Sequence, residues 1–244
     1  MKFIKPGYQI LTKDFSNMLK NIELAGRTCY KSEDKITDDS ASRFVANLVK
    51  HGHEAMIEHE KITVKFICDR GISHEIVRHR MASYAQESTR YCNYSKDKFG
   101  DQCTFIVPFW TNIPEYEQPR AKWGAKEDVF KFGDTILSED EASFINSCWY
   151  AEKSYFDLLN KGWTPEKARA VLPNCLKTEI IVTMNLREWR HFFKLRCAAD
   201  AHPQIQQLAI PLLLDFRGRL PVVFDDIGYN ENFNSDCYAR PIED

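Results

Sequence analysis

Three arginines and a histidine fall within the thirteen residues from Arg78 to Arg90, in the stretch Arg78-His79-Arg80-Met81-Ala82-Ser83-Tyr84-Ala85-Gln86-Glu87-Ser88-Thr89-Arg90-Tyr91. A guanidinium is permanently charged and presents a planar fork of donors that suits phosphate or carboxylate. Tyrosine offers a flat face on which a base can stack. Hydroxyls and an amide lie between the charges, and core packing asks for none of this. The segment reads as a grip for an anion with an aromatic body, such as a nucleotide. The plainer reading is a solvated basic helix end, because a cation in a last helical turn gains about 0.3–1 kcal/mol from the helix dipole. Arg90, past the expected helix, favours the grip.

A second stretch, His51-Gly52-His53-Glu54-Ala55-Met56-Ile57-Glu58-His59-Glu60, holds three histidines and three glutamates in ten residues. The spacing is not that of a zinc helix, since His53 and His59 are six apart. A polar loop lining a cofactor pocket suits it better, and no metal is expected. Arg187, Arg190, His191, Lys194 and Arg196 recur at helical spacing and, on spacing alone, form a solvated basic face. Arg169 reads on its own as a surface helix charge. Ser88 has no identifiable Ser-His-acid arrangement around it, and an unactivated hydroxyl is a weak nucleophile. A positioning role fits it better.

Several elements must hold these side chains. Alternation of Ile62, Val64, Phe66 and Cys68 with Lys61, Thr63 and Lys65 predicts a half-buried strand. A short helix over 72–80 and an irregular loop to Arg90 should follow. Apolar spacing predicts helices over 15–27, 38–50, 138–159, 186–196 and 205–220, with Pro211 kinking or dividing the last. Asp14, Asp39 or Ser40, Ser138 and Asn185 are the expected caps. A core strand is expected over 179–184 and a short one over 104–107. The wide apolar face of the last helix could pack against another subunit as well as its own core.

The chain has 244 residues, 43% hydrophobic and 28% charged, enough for one globular domain over 1–244. A surface insertion around 95–137 and a loose tail over 225–244 are expected. The net charge of −2 argues against bulk nucleic-acid binding, so the arginines must act locally. No apolar run approaches the roughly 20 residues of a membrane span, and the first residues lack a signal-peptide apolar region. The eight cysteines form no Cys-x-x-Cys pair and read as reduced thiols of a cytoplasmic protein.

Arg78-His79-Arg80, followed after seven residues by Ser88, resembles the signature of the flavin-dependent thymidylate synthases. His51-Gly52-His53-Glu54 with Glu58-His59, and Asn185-Leu186-Arg187 with His191 and Leu195-Arg196, are similar to that family's other landmarks, in the same order. The resemblance implies an α+β fold, a mixed or antiparallel sheet with flanking helices. A Rossmann fold is not expected, and no Gly-x-Gly-x-x-Gly is present. It implies methylation of dUMP to dTMP, with FAD as cofactor and methylenetetrahydrofolate and NADPH as co-substrates. It also implies a homotetramer with shared active sites, while the charge balance and the lack of a long apolar run lead us to expect no obligate nucleic-acid partner and no membrane. For the flavin it singles out His53, Ala55, Glu58, Arg78, His79, Arg80, Gln86, Asn185, Arg187 and His191. For the nucleotide it singles out Glu75, Arg78, Gln86, Glu87, Ser88, Thr89, Arg90, Arg169 and Arg196, with Arg196 activating the uracil. Ala55 stands where a hydroxyl residue is often found, Gln86 where a glutamate is common, and Glu75 where some members have glutamine. Two rivals are a metal-dependent hydrolase built on His51–His59 and a non-enzymatic RNA-binding module built on the arginine–tyrosine loop. Stoichiometric metal would favour the first, and a salt-sensitive RNA shift without flavin the second.

Overall fold

A computed structural model describes residues 1–117, 131–132 and 135–242. The chain divides into two compact units that alternate along the sequence. The first comprises Met1–Pro6, Ile67–His74 and Gln86–Ile180, the second Gly7–Phe66, Glu75–Ala85 and Ile181–Asp244.

In the first unit, strand β1 (Lys2–Ile4) is the middle of a mixed three-stranded sheet. The strand over Thr104–Ile106 runs parallel to it, with Phe3 opposite Phe105, and the strand over Tyr116–Glu117 runs antiparallel. The long helix over Glu139–Asn160 opens on a capping box: Ser138 Oγ accepts from the Glu141 amide, and the Glu141 carboxylate accepts from the Ser138 amide. Its face carries Ile145, Cys148, Tyr155 and Phe156 into a core shared with Phe3, Cys103, Phe105 and Ile113. Part of the expected surface insertion is therefore core. Its residues 118–130 and 133–134 lie outside the described residues.

In the second unit, two helices, α1 (Met18–Tyr30) and α2 (Ser40–Lys50), start two or three residues later than their spacing suggests. Asp14 does not cap α1; its carboxylate accepts from the amide and hydroxyl of Ser16 instead. A five-stranded sheet has the order β10-β2-β3-β9-β4, where β2 is Gly7–Ile10, β3 Lys61–Asp69, β4 Ala82–Gln86, β9 Lys177–Asn185 and β10 Arg240–Pro241. The expected alternation appears in β3, where Ile62, Val64 and Phe66 are fully buried. Helix α6 (Leu186–Arg196) follows β9 directly, because Asn185 Oδ1 accepts from the Glu188 amide at 2.8 Å. Trp189, Phe192 and Phe193 of α6 pack with Phe216 and Phe224, and the Trp189 indole N–H donates to the Ile62 carbonyl.

Helix α7 (Pro203–Arg219) runs through Pro211 without dividing. Ile205, Leu208, Ile210, Leu212 and Leu213 are buried within the chain, and only Leu214 of the apolar set is substantially exposed. The tail is not loose over its described length. Arg240 and Pro241 pair in parallel with Gly7 and Tyr8, Ile227 and Ala239 are buried, and the Ala239 amide donates to Gln207. Apolar side chains spaced among polar ones hold it down, a pattern that composition averages away. The chain is α+β with mixed pairing, as expected. Among the described residues, no helix is long and apolar enough to cross a membrane.

Candidate functional site

Where an irregular loop was expected, the arginine stretch is a turn followed by β4. The preceding helix spans Arg70–Ile76, and the turn closes with the Arg78 amide donating to Glu75 and the His79 amide to Ile76. The Tyr84 hydroxyl, on β4, lies 2.5 Å from the His79 carbonyl and 3.0 Å from that of Ile76, which pins the turn. The pinning sends alternate side chains opposite ways: Arg78 and Arg80 are exposed, and His79 is only 3% exposed.

In the second unit, His79 and the end of α6 form a fixed constellation. Arg196 Nε donates to His79 Nε2 at 3.2 Å, Nη1 to Glu75 Oε2 at 2.9 Å, and Nη2 to the Glu75 carbonyl at 3.1 Å. Burial, then the charge of Arg196 and the proximity of His191, push the His79 pKa from 6.5 down to about 4. The imidazole is therefore neutral at pH 7, as its acceptance from Arg196 requires. Its proton sits on Nδ1, which is 3.4 Å from Glu188 Oε1 but makes no hydrogen bond within the protein. Burial raises the pKa of Glu188. His79, Glu188 and His191 bring ligand-type atoms within 4.8 Å of one another. They do not make a ready metal cage, because Arg196 takes the bare nitrogen of His79 and leaves a proton on the other.

Beside this group lies a cavity of about 470 Å³ lined by Glu54, Glu58, Met81, Asn185, Arg187, Glu188, His191 and Lys194. It falls in the size range of small-molecule sites. Four of the residues assigned to the flavin by resemblance are here or at its wall: Glu58, Asn185, Arg187 and His191. His53 and Ala55 are exposed next to Glu54 on the 3₁₀ turn Glu54–His59. The acids that suggested a metal are spoken for, Glu58 by Arg187 at 2.6 Å and Glu54 by Arg190 at 3.0 Å. Arg190 is not on a solvated face. It is 1% exposed and donates to Glu54, to both oxygens of Asp226 and to the Val223 carbonyl. Its charge is matched by partners 136 and 36 residues away in sequence, which spacing cannot reveal.

In the first unit, Gln86 donates to Ser73 Oγ (2.9 Å) and Thr178 Oγ1 (3.2 Å). Ser73 already donates to the Arg70 carbonyl, so an amide serves here where an acceptor-only carboxylate would not. Glu87 is held by Lys177 at 3.0 Å and by the Tyr94 hydroxyl at 3.1 Å. Lys177 also reaches Glu179 at 2.5 Å. Burial opposes the charge on Lys177, but the two carboxylates prevail and raise its pKa. The Glu87 side chain is thus committed within the protein. Thr89 is buried and accepts from Arg169, and the Ser88 hydroxyl accepts from the Arg90 amide. The exposed Arg90 lies 5.4 Å over the Tyr91 ring and 3.9 Å from Glu166.

Sequence reasoning missed Glu188, Lys177, Tyr94 and Thr178. A signal for Glu188 existed: it stands three residues before His191 on the same helical face. For Lys177 and Tyr94 there was none, since only the fold brings them to Glu87.

A family model described as "Thymidylate synthase complementing protein" matches residues 11–222. The flavin-dependent thymidylate synthase of Geobacter sulfurreducens is 33% identical over 214 residues, covering 85% of this chain and 81% of that protein. That of Corynebacterium aurimucosum is 34% identical over 209 residues, covering 84% and 78%. Among solved structures, the UMP/dUMP methylase PolB of Streptomyces cacaoi, bound with 5-Br dUMP, is similar with a TM-score of 0.69 at 22% identity, over 92% of this chain and 96% of that one. That last likeness is one of fold.

Proposed function

The chain belongs to the family of the flavin-dependent thymidylate synthases, and on that premise we propose that it converts dUMP to dTMP. Methylenetetrahydrofolate supplies the carbon and NADPH the electrons. The balance is dUMP, methylenetetrahydrofolate, NADPH and a proton giving dTMP, tetrahydrofolate and NADP⁺.

The observation that carries this reading is the juxtaposition of a ligand-sized cavity with a fixed, largely buried guanidinium. The residues around that cavity suit FAD. Arg187 and Lys194 offer cations for a diphosphate, and Arg187 and Arg190 restrain the carboxylates of Glu54 and Glu58 that would otherwise repel it. Asn185 and His191 offer polar contacts, and His79 Nδ1 is a buried donor still without a hydrogen bond. His53, Ala55, Glu58, Arg78, Arg80, Asn185, Arg187 and His191 would hold the cofactor. When bound there, FAD would supply the redox chemistry that links NADPH to reduction of the one-carbon unit.

The chain's own side chains hold and polarise. Arg78, Arg90 and Arg169 are suited to the phosphate or carbonyl oxygens of the nucleotide, and Ser88 and Thr89 to orienting it. Arg196 is the catalytic residue of this reading. A fixed positive charge beside the uracil favours loss of its N3 proton and raises electron density at C5, the carbon to be methylated. Glu87 and Gln86 act by fixing the backbone that carries Ser88 to Arg90. The same reading gives a homotetramer with active sites shared between subunits, working in the cytoplasm.

The test is loss of tritium from C5-labelled dUMP, with dTMP as product, when purified protein is given methylenetetrahydrofolate, NADPH and FAD. Release that requires all four small molecules is expected. No release from protein with bound flavin would overturn the reaction assigned here.

A further inference from the structure

Another cavity of the second unit, a groove of about 500 Å³ along helix α2, has no part in the reading above. Its floor is fixed. The Phe44 ring seats against Gly26 of α1, where a Cβ would fall 2.6 Å from the ring. The Arg27 guanidinium covers that ring at 4.5 Å and donates to Glu23, which is 1% exposed and also accepts from the Ser40 hydroxyl. The charge of Arg27 is therefore matched. Those of Arg43 and Lys50 are not: both line the groove, both are exposed, and neither has an ion pair among the described residues. Asp39, one turn before Arg43, has its carboxylate bonded by the Thr37 hydroxyl. Seven residues apart on one helix, the two cations share a face about 10 Å apart along the axis, with the exposed Asn47 amide between them.

We propose that this groove takes the oligo-γ-glutamyl tail of the folate co-substrate. Such a tail is a flexible chain in which every residue carries a free carboxylate. Carboxylates suit a guanidinium and an ammonium held a fixed distance apart, and the Asn47 amide can donate to the amide carbonyls between them. A nucleotide suits the groove less, because Phe44 is pinned between Arg27 and Gly26 and leaves a base nothing to stack on. Position agrees with the tail. Lys50, at the end of α2, is separated from Glu54, on the wall of the cavity assigned to the flavin, by His51, Gly52 and His53. Four residues of chain span at most about 14 Å, so a co-substrate reacting at the flavin has the groove within reach of its tail. The groove sets how tightly the folate is held and leaves the chemical step alone. This rests on the thymidylate reading above, which names the folate.

The test compares monoglutamyl and tetraglutamyl methylenetetrahydrofolate as co-substrates of the flavin-loaded protein, in the wild type and in the double variant Arg43→Ala, Lys50→Ala. In the wild type the KM for the tetraglutamyl form should be about threefold to tenfold lower at equal kcat, the worth of two exposed ion pairs. The difference should vanish in about 0.5 M salt. In the double variant the two KM values should coincide at the wild-type monoglutamyl value. The charge-keeping swap Arg43→Lys, Lys50→Arg should restore the preference. Equal KM values in the wild type, or a preference that survives the double variant, would overturn the inference. Turnover of neither form would overturn the dUMP reading instead. The groove is then judged by calorimetry with free tetra-γ-glutamate: binding by the wild type that the double variant lacks supports it, and no binding by the wild type refutes it.

Discussion

Lowering the pH from 7 to 5 should loosen the protein through one side chain, His79. The imidazole is 3% exposed, and its Nε2 faces the Nε–H of Arg196, so protonation would set two donors against each other. In the unfolded chain the group takes up its proton near 6.5, and in the folded protein only near 4. Between those values the unfolded state binds more protons, so stability is fully present above 6.5 and is lost as pH falls towards 4. At roughly 1.4 kcal/mol per pH unit, the loss from pH 7 to pH 5 is about 2 kcal/mol from this group alone. Glu188, whose pKa is raised, works in the opposite sense. The comparison is therefore made with His79→Gln, which can still accept from Arg196 but does not titrate. Urea unfolding followed by tryptophan fluorescence measures both proteins across this range. The wild-type stability advantage should be about 2 kcal/mol larger at pH 7 than at pH 5. Parallel stability curves for the two proteins would refute the claim that His79 is held neutral.

Arg190→Met strands the Val223 carbonyl and leaves Glu54 and Asp226 without their shared cation. Since Asp226 is half exposed and can rehydrate, the expected cost is about 3 kcal/mol, a fall in Tm of roughly 6–12 °C, read by calorimetry. Lys177→Met leaves Glu87 without its ion pair and should raise the KM for dUMP about five- to tenfold with a smaller change in kcat, while the flavin spectrum stays as it was. An unaltered KM would show that the Lys177 network does not position the Ser88–Arg90 segment. Arg196→Lys keeps a cation but loses the three-way fork, so turnover should fall by roughly a hundredfold while FAD remains bound. Single-turnover kinetics with tight-bound FAD would check it, and retained turnover would displace Arg196 from its role.

What could be read in the sequence was what repeats locally. The period of two in β3 and the cap and apolar face of α6 are properties of neighbouring residues, and both came out with bounds within a residue. The capping box at Ser138 is likewise a four-residue pattern. The arginine stretch was legible as chemistry but not as shape. Its loop is a strand, because the Tyr84 hydroxyl pins the preceding turn through carbonyls that side-chain pattern does not specify. The basic face of α6 was misjudged at Arg190 for a similar reason. Helical spacing shows which side chains share a face, but not that Asp226, far along the chain, arrives to neutralise one of them. The pairing of Arg196 with Glu75 and His79 joins residues 121 and 117 positions apart; resemblance singled out each of the three, but neither it nor periodicity showed that they meet.

The most direct test of the proposed chemistry is the visible absorption spectrum of the purified protein, reconstituted with FAD and taken anaerobically before and after NADPH. A bound flavin spectrum that bleaches with NADPH, and returns when methylenetetrahydrofolate and dUMP are added together, is the predicted result. A protein that stays colourless after incubation with FAD would contradict it and leave the arginine grip as a nucleotide or RNA site without redox chemistry.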